Sequence, residues 1–367
     1  MTVCTTSFGF NGITGVIMNY FENIEDSNVA MDFVVINEVD DGLKERIRAK
    51  SEKLLRPSNI YKIQGRNKNP FGYIKKLSKI LKEGEYDIIH VHGNSATMLT
   101  ELIAAKKAGV KVRIVHSHNT TCTHKIIHNL AKGKFHKSYT HRFACGEMAG
   151  KWLYEDRHFF VINNGVDTLK FNYDASIREK ARNEFGLNDK KVIGHIGHFS
   201  YQKNHEYVLE MFKKLYEKDN SYELVLLGDG KLREQMEELA NQLNITSAVR
   251  FVGRTHRVVE YMHAFDMLIL PSRFEGLPLT IIEAVSNALP CIISDKVSKE
   301  AIIDGFVRSI SLDNMDEWVA QIMATDIGHR EENSSKAIAL VKEKGYDIKE
   351  NALELLKLYQ QFIKETR

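Results

Sequence analysis

Two series of alternating strand and helix patterns constrain the fold of this chain more than any other feature. Short runs rich in β-branched residues are followed by amphipathic stretches, first in residues 2–165 and again in residues 191–295. Such alternation predicts parallel sheets wrapped by helices, because parallel strands must be joined by long crossover connections. The sequence therefore predicts an α/β fold with two Rossmann-like, doubly wound domains.

The polar and aperiodic stretch NNGVDTLKFNYDAS separates the two series. It predicts an N-terminal domain over residues 1–170 and a C-terminal domain over residues 171–348. The tail at 349–367 is amphipathic and has no strand of its own to pack on, so we expect a helix of about five turns that returns to the N-terminal domain.

Composition and targeting patterns narrow the class of protein. The chain has 367 residues, of which 43% are hydrophobic, enough for sizeable cores. Its longest apolar run has five residues, Ala337 to Val341, and its start lacks the basic and then apolar order of a signal peptide. Four scattered cysteines with no Cys-x-x-Cys pair argue against disulfides and cysteine zinc cages. These features predict a cytoplasmic protein.

Positive charge is concentrated in the first half. Residues 1–167 hold 24 Lys and Arg against 17 Asp and Glu, a net charge of +7, whereas the remainder holds 27 against 31, a net charge of −4. The segment KIIHNLAKGKFHKSYTHR, residues 125–142, has five basic side chains and none that is acidic. Such a surface is either a solvated face or a contact for anionic lipid or substrate. Nucleic acid is a rival partner, but no recognised binding motif accompanies the charge.

The stretch SRFEGLPLTIIEA, residues 272–284, predicts a phosphate site. A strand ends near Ser272, a loop carries Glu275, and Pro278 fits the first turn of a helix that contains Glu283. Helix N-termini bind anions, and free backbone N–H groups here belong to Gly276, Leu277, Leu279 and Thr280. A diphosphate with hydroxyl groups on both sides, as in a nucleotide-sugar, would fit between the two glutamates. A capped helix with an exposed glutamate is the alternative.

Several further phrases carry a family resemblance between about Asp87 and Ala288. They are NSATMLTELIAAKKAGVKVRIVHSHNT, ACGEMAGKWLY, VINNGVD, YQKNH, LLGDGKLR, FVGR and EGLPLTIIEA. With them the chain resembles retaining glycosyltransferases of the GT-B fold often called family four, and especially those that build bacterial capsular and exopolysaccharides. The resemblance implies two domains facing each other across a cleft, with the acceptor on the first and the donor on the second.

The resemblance also implies roles for individual residues. Glu275 would contact the donor sugar, Glu283 the ribose hydroxyls and Lys203 the diphosphate. His118 would line the reaction centre beside Asn119, with His116 as a rival. Other donor or acceptor contacts are expected at Gly12 and Gly15 in the first strand-to-helix loop, and at Gly197, His198, Gly228, Gly230 and Arg254. The family usually has Gly-Arg where this chain has Gly197-His198, and an imidazole is a weaker and pH-dependent partner for phosphate.

No metal or other cofactor is expected. None of the 18 aspartates forms the Asp-x-Asp pair that holds a metal in many transferases of another fold. Lys203, the helix N-terminus after Glu275 and a protonated His198 would instead stabilise the leaving diphosphate. The pairs His90-Val-His92 and His116-Ser-His118 each place two imidazoles on one strand face. They also fit a zinc interpretation, which no cysteine pair or carboxylate spacing supports.

The resemblance implies transfer of a sugar, usually from a uridine diphosphate donor, with retention of configuration by same-face attack. The acceptor would be a saccharide on a polyprenyl diphosphate, which places the basic N-terminal domain at the anionic inner face of the cytoplasmic membrane. A non-hydrolysing nucleotide-sugar epimerase would share the two-domain plan but isomerise its donor. A catalytically silent nucleotide-sugar-binding subunit would keep the glutamates without turnover. Donor sugar, linkage and oligomeric state leave no mark in the sequence.

Overall fold

The computed structural model describes residues 1–4, 8–9, 11–26 and 28–366. The chain divides into two compact units. Unit 1 comprises Met1–Gly165 and Ile348–Arg367, and unit 2 comprises Val166–Asp347. The divisions therefore lie at 165/166 and 347/348, against 170/171 and 348/349 expected from the sequence. Because the chain leaves unit 1 and returns to it, residues distant in sequence share one core.

Unit 1 is built on a sheet of seven parallel strands in the order β3-β2-β1-β4-β5-β6-β7. Its strands are β1 (Thr2–Cys4), β2 (Phe33–Val35), β3 (Ile60–Lys62), β4 (Ile88–Gly93), β5 (Val112–Ser117), β6 (His141–Ala144) and β7 (Phe160–Val161). The strand order reverses between β1 and β4, which is where doubly wound sheets open a crevice at their carboxyl edge.

Helices cover the strands of unit 1. They are α1 (Gly12–Asn23), α2 (Asp41–Ser51), α3 (Pro70–Glu83), α4 (Leu99–Lys107), α5 (Lys125–Phe135) and α6 (Glu147–Tyr154). Helix α3 shows why they form where they do. Asn69 caps it by accepting a hydrogen bond from Gly72 N, Pro70 occupies its first turn, and the buried Tyr73, Leu77 and Leu81 recur at helical spacing.

Unit 2 holds a second parallel sheet, of six strands in the order β10-β9-β8-β11-β12-β13. The strands are β8 (Lys191–Ile196), β9 (Tyr222–Leu227), β10 (Val249–Gly253), β11 (Met267–Leu270), β12 (Cys291–Ser294) and β13 (Val307–Ile310). Its helices are α7 (Ala175–Phe185), α8 (His205–Lys218), α9 (Arg233–Gln242), α10 (Val258–Ala264), α11 (Leu279–Ser286), α12 (Met315–Ala324) and α13 (Arg330–Glu343).

The last helix, α14 (Ile348–Lys364), belongs to unit 1. Its buried face carries Tyr359, whose hydroxyl lies 2.6 Å from His90 Nδ1 on β4. Phe362 is also buried and stacks on the His141 ring, with ring centroids 3.6 Å apart. The amphipathic period of the tail therefore reflects burial of one helix face in the core of the first unit.

The predicted α/β class with two parallel sheets is confirmed. The sequence reading missed β3 and β13, whose letters IYK and VRSI mix apolar and polar residues in runs too short to show a period. Of the predicted first strand TVCTTSF, residues 5–7 lie outside the described residues. Among the residues described, every helix is too short or too polar to cross a membrane. Cys122, Cys145 and Cys291 are free thiols, as predicted.

Candidate functional site

The site in unit 2 lies at the carboxyl edge of its sheet, where the strand order reverses between β8 and β11. The loop after β8 carries Lys203, and the loop after β11 carries Glu275. Lys203 Nζ lies 2.7 Å from Glu275 Oε1, and both side chains are largely buried, with 17% and 11% of their surface exposed. Two residues distant in sequence thus form an ion pair at the position where parallel sheets bind ligands.

Hydrogen bonds fix both the side chain and the backbone of Glu275. Ser272 Oγ donates to Oε1 of the carboxylate at 3.2 Å. The backbone of Glu275 donates to Lys296 O at 3.3 Å and accepts from Ser298 N at 3.1 Å, which fixes its loop against the segment after β12. Glu275 therefore presents a preorganised carboxylate whose present partner is an ammonium group.

Three glycines let the neighbouring loops approach one another. A Cβ on Gly197 would lie 3.0 Å from Cγ and Cδ of Lys203, so the lysine stem runs directly over this glycine. Gly228 has a φ of +134°, and a Cβ there would lie 2.0 Å from Gly197 O. A Cβ on Gly230 would lie 2.5 Å from Phe199 O. The predicted site glycines therefore serve close backbone packing around Lys203.

Helix α11 starts one residue later than the sequence suggested. Pro278 has φ −76° and ψ 107°, so it occupies the extended cap position and not the first helical turn. The reason is that Leu277 and Leu279 both pack on the core of unit 2 and hold Pro278 between them in an extended conformation. None of the described hydrogen bonds uses the backbone N–H of Gly276, Leu277, Leu279 or Thr280. A Cβ on Gly276 would meet no described atom within 4 Å.

Glu283 lies just over one turn into α11. Desolvation raises the pKa of its carboxyl group to about 7, and the nearby Lys170 opposes the shift. An acid in this state ionises readily when a ligand supplies hydroxyl donors, because hydrogen bonds to the charged form favour it.

Two predicted donor contacts are more exposed. His198 projects from the loop after β8, and its Cε1 atom would be 2.9 Å from a Cβ on Gly230. Arg254 follows β10 and lies 3.8 Å from Asp229 Oδ2, with 62% of its side chain exposed. Both therefore lie on the same group of loops as Lys203, but neither is fixed as firmly.

The prediction that Gly12 and Gly15 lie in the first strand-to-helix loop is wrong. They are the first and fourth residues of α1, because Asn11 caps this helix and accepts a hydrogen bond from Thr14 N at 3.0 Å. Capping by Asn lets the helix start immediately after it. No atom of the described residues lies within 4 Å of a Cβ built on either glycine.

Four histidines form a cluster at the ends of β4 and β5, as their period predicted. We call His90, His92, His116 and His118 the histidine cluster. His90 Nε2 lies 3.2 Å from His116 Nδ1, and His92 Nδ1 lies 2.9 Å from His118 Nε2. Desolvation lowers the pKa of His118 to about 3 and those of the other three well below their ordinary value. All four imidazoles are therefore neutral at pH 7.

Unit 1 also contains an open cleft of about 1600 Å³. Asn119 lines it, together with three cationic side chains, Lys62, Arg66 and Lys68. Arg66 is anchored at the base: its guanidinium donates to Glu101 at 2.6 Å and to Thr97 Oγ1 at 3.0 Å. Since Glu101 is fully buried, this pair fixes one positive charge in the cleft wall. Lys62 is paired with the exposed carboxylate of Glu38, which an anionic ligand could replace.

Helix α5 forms one lip of this cleft through Ile127. Ile126 and Leu130 are 78% and 81% exposed on the same helix. Phe135, at the end of the same helix, is instead fully buried because it packs in the core of unit 1. Lys132 is paired with Glu155 at 3.0 Å. The exposed amphipathic face is therefore limited to the first two turns of α5, with Lys134 and Lys137 beyond it.

Comparison with known proteins fits this geometry. Residues 12–170 match the family model described as Glycosyltransferase Family 4, and residues 177–324 match the one described as Glycosyl transferases group 1. EpsF of Bacillus subtilis, which is named as a glycosyltransferase, is 31% identical over 95% of this chain and 93% of its own. The chain belongs to the family-four glycosyltransferases.

One further sequence relative and one solved structure are similar to this glycosyltransferase. The UDP-Gal:alpha-D-GlcNAc-diphosphoundecaprenol alpha-1,3-galactosyltransferase of Escherichia coli is 31% identical over 68% of this chain and 69% of its own. The crystal structure of Anabaena HepE in complex with UDP matches with a TM-score of 0.76 and 16% identity, over 98% of this chain and 99% of that one. The structural likeness shows a shared GT-B fold.

Several residues of the glycosyltransferase site escaped the sequence reading. Ser272 and the anchored pair Arg66 and Glu101 carry no motif of their own. Arg66 lies within the basic segment Lys44–Lys82, whose composition indicates a solvated face or a contact for anionic lipid or substrate but not a buried ion pair. The contacts that distinguish these residues join separate strands and loops, so no local pattern could have revealed them.

Proposed function

We propose that this glycosyltransferase moves a sugar from a UDP-sugar to a saccharide carried on a polyprenyl diphosphate, with retention of configuration and without a metal, in exopolysaccharide or capsule synthesis. The observation that carries the proposal is the Lys203–Glu275 ion pair beside the N–H groups before and at the start of α11, for which the described residues supply no acceptor. This arrangement supplies a cation, backbone donors and a carboxylate within one edge of unit 2.

The donor diphosphate would compete for Lys203. Its negative charge can replace Glu275 as the partner of the ammonium group, and the remaining phosphate oxygens can accept from Gly276 N and Thr280 N. Glu275, released from Lys203 but still held by Ser272, then accepts hydrogen bonds from hydroxyl groups of the sugar. Glu283 accepts from the ribose hydroxyls, and the ionisation of its carboxyl group strengthens that contact.

Bond cleavage separates an oxocarbenium-like sugar from a diphosphate that gains negative charge. Lys203 and the N-terminus of α11 stabilise that charge without a proton transfer of their own, and His198 adds a third donor in place of the usual arginine. In the same-face attack that we propose, the leaving phosphate oxygen takes the proton of the acceptor hydroxyl. His118 is the residue of unit 1 that we assign to the reaction.

Relatives support the choice of substrates. The Escherichia coli relative is named for UDP-galactose and a diphosphoundecaprenol acceptor. Another relative, AmsD of Erwinia amylovora, is named as an amylovoran biosynthesis glycosyltransferase and is 30% identical over 41% of this chain and 42% of its own. HepE structures contain UDP and UDP-glucose. The cationic cleft of unit 1 suits the anionic part of such an acceptor.

A lipid-linked acceptor also requires that unit 1 reach a bilayer. We assign this contact to α5, where Ile126 and Leu130 are exposed and Lys134 and Lys137 follow. Each basic side chain near an anionic leaflet contributes about 1 kcal/mol, so attachment should be reversible and sensitive to salt. The protein would then be peripheral on the inner face of the cytoplasmic membrane.

Binding and product analysis together test the proposal. Calorimetry with UDP, GDP and ADP should show tight binding of UDP only, and a UDP concentration of 100 Kd should stabilise the protein by about 2.7 kcal/mol. Incubation of UDP-sugars with a polyprenyl-diphosphate saccharide should yield an α-linked product after EDTA treatment. An inverted product, an isomerised donor, or activity that is lost in EDTA and restored by Mg²⁺ would each contradict the proposal.

A further inference from the structure

The histidine cluster has a donor set that the transfer reaction does not use in full. Strands β4 and β5 are in register with His92 opposite His116, and residues two apart on a strand share one face. Ring centroids lie 4.1 Å apart for His90 and His92, and 4.2 Å apart for His116 and His118. The sheet therefore brings four imidazoles together, of which only His118 is assigned to the reaction.

Hydrogen bonding inside the cluster is incomplete. His90 bonds Tyr359 through Nδ1 and His116 through Nε2. The other ring nitrogen of His116, Nε2, is buried and has no hydrogen-bond partner among the described residues. Leaving a buried polar nitrogen unpaired is destabilising. A proton on this Nε2 would leave the lone pair on His116 Nδ1, and an imidazole nitrogen with a free lone pair is the atom that coordinates a metal ion.

The distances suit a transition metal. One ring nitrogen from each of His90, His92 and His116 lies within 4.8 Å of the others. Zinc–nitrogen bonds of 2.0–2.1 Å in a tetrahedron require ligand nitrogens roughly 3.3 Å apart. His90 Nε2 and His116 Nδ1 are already 3.2 Å apart. An ion could therefore replace the hydrogen bond between these two rings with little movement of either strand.

A bond outside the ligand set supports the same assignment. Histidine ligands usually have their second ring nitrogen in a hydrogen bond that fixes the ring and its tautomer. Tyr359 lies 2.6 Å from His90 Nδ1 and is itself buried. This contact leaves His90 Nε2 directed at the cluster, as a ligand requires.

We propose that His90, His92 and His116 bind one Zn²⁺ or Co²⁺ ion, and that the bound ion inhibits transfer. Three neutral imidazoles leave an open coordination position for water or a fourth nitrogen. The ion would draw His92 away from its 2.9 Å hydrogen bond with His118. The residue assigned to the reaction would then lose the partner that orients it, or become the fourth ligand.

Metal binding is measured first, without any substrate. Protein stripped with a chelator should bind one Co²⁺ per chain with the visible absorption of tetrahedral cobalt, and Zn²⁺ should displace it. His92→Gln and His116→Gln should each weaken binding at least tenfold. His128→Gln is the matched control, since His128 is also buried in unit 1 with an unpartnered Nε2 but lies outside the cluster. Loss of stoichiometric binding in this control alone, or equal binding in all variants, would overturn the proposal.

Inhibition is measured second. Stoichiometric Zn²⁺ should lower transfer at least tenfold while UDP affinity, a property of unit 2, changes less than twofold, and chelator should restore transfer. Zn²⁺ that binds the cluster without changing transfer would refute the inhibitory role. Thermal unfolding should show that the His92→Gln protein is folded, so that weaker metal binding in this variant reports the loss of a ligand and not the loss of the fold. Because metal binding needs no substrate, its failure is distinguishable from failure of the proposed function, on which only the inhibitory step rests.

Discussion

The two candidate sites of this glycosyltransferase differ in how their side chains are held. At the carboxyl edge of unit 2, Lys203 and Glu275 are paired and largely buried, and glycines pack the surrounding loops to within a few ångströms. In unit 1 the cleft is wide, and among its described contacts Arg66 is the one cationic side chain anchored in a buried pair. One site is preorganised, whereas the other is open.

The difference follows from the ligands that we propose. A nucleoside diphosphate has one shape and one charge, so fixed donors lower the cost of ordering side chains upon binding. A lipid-linked saccharide is larger and more variable, and a roomy cleft with exposed lysines suits it. Substitutions in unit 2 should therefore act through fixed ligand contacts and close packing, whereas those on the surface of unit 1 should act through charge.

The largest effect should come from Glu275→Gln. It removes the charge that we assign to the donor sugar, and we expect transfer to fall by roughly 100- to 1000-fold, as for other groups that stabilise transition-state charge. UDP affinity should not fall, because Lys203 keeps its own charge and loses the carboxylate with which the diphosphate competes. Steady-state kinetics and calorimetry measure the two quantities.

Glu206→Gln is the control for that change, because Glu206 makes an exposed ion pair with Arg273 at 3.4 Å near the same loops. Its transfer rate should stay near that of the wild type. Equal losses of UDP affinity and of transfer in Glu275→Gln would show that unit 2 does not separate sugar and diphosphate contacts.

Gly228→Ala tests how tightly unit 2 is packed. The new Cβ would lie 2.0 Å from Gly197 O, at a φ of +134° that favours glycine, so we expect a loss of stability of about 2 to 4 kcal/mol. Thermal or urea unfolding measures this loss of stability.

Gly15→Ala in unit 1 is the opposite case: its Cβ meets no described atom within 4 Å, and alanine in a helix should stabilise by about 0.5 to 1 kcal/mol. Destabilisation of equal size at both positions would remove the contrast between the units.

Glu283→Gln should lower UDP affinity by roughly 10- to 100-fold, the effect of losing a charged hydrogen-bond acceptor.

The Glu283→Gln substitution should also increase the free energy of unfolding at high pH. The folded-state pKa of Glu283 is about 7 and the ordinary value is 4.5, so ionisation destabilises the fold progressively between pH 4.5 and 7 and fully above pH 7. The glutamine variant should gain up to about 3 kcal/mol at pH 8 and almost nothing below pH 4.5. Unfolding at both pH values checks this, and an equal gain at both would refute it.

Surface charge on unit 1 should have the mildest consequence. Changing Lys134 and Lys137 to Glu should weaken binding to anionic vesicles by about tenfold or more at low salt, since each lysine contributes about 1 kcal/mol. UDP affinity should be unchanged. Leu353→Ser, at an exposed position of α14 in the same unit, is the control for a general surface effect. Vesicle co-sedimentation that is equal for wild type and the lysine variant would show that α5 is only a solvated face.

Much of the molecule is encoded by neighbours in sequence. The strand and helix periods determined the two parallel sheets, because burial of one face repeats every two or 3.6 residues. The glutamates of residues 272–284 were likewise predictable, since the end of an apolar strand, a glycine and a proline define a helix start. Even there, the sequence placed Pro278 in the first turn of α11, whereas it is the cap residue before the helix. Packing of Leu277 and Leu279 on the core decided where the helix begins.

Tertiary structure alone decided how the residues of each site are paired. Lys203 reaches Glu275 only because β8 and β11 are neighbours in the sheet, and His92 reaches His118 only through the register of β4 with β5. The raised pKa of Glu283 is also a tertiary effect, since it arises from desolvation within unit 2. Periods and turns depend on adjacent residues, whereas ion pairs and desolvation depend on which distant elements the fold places side by side.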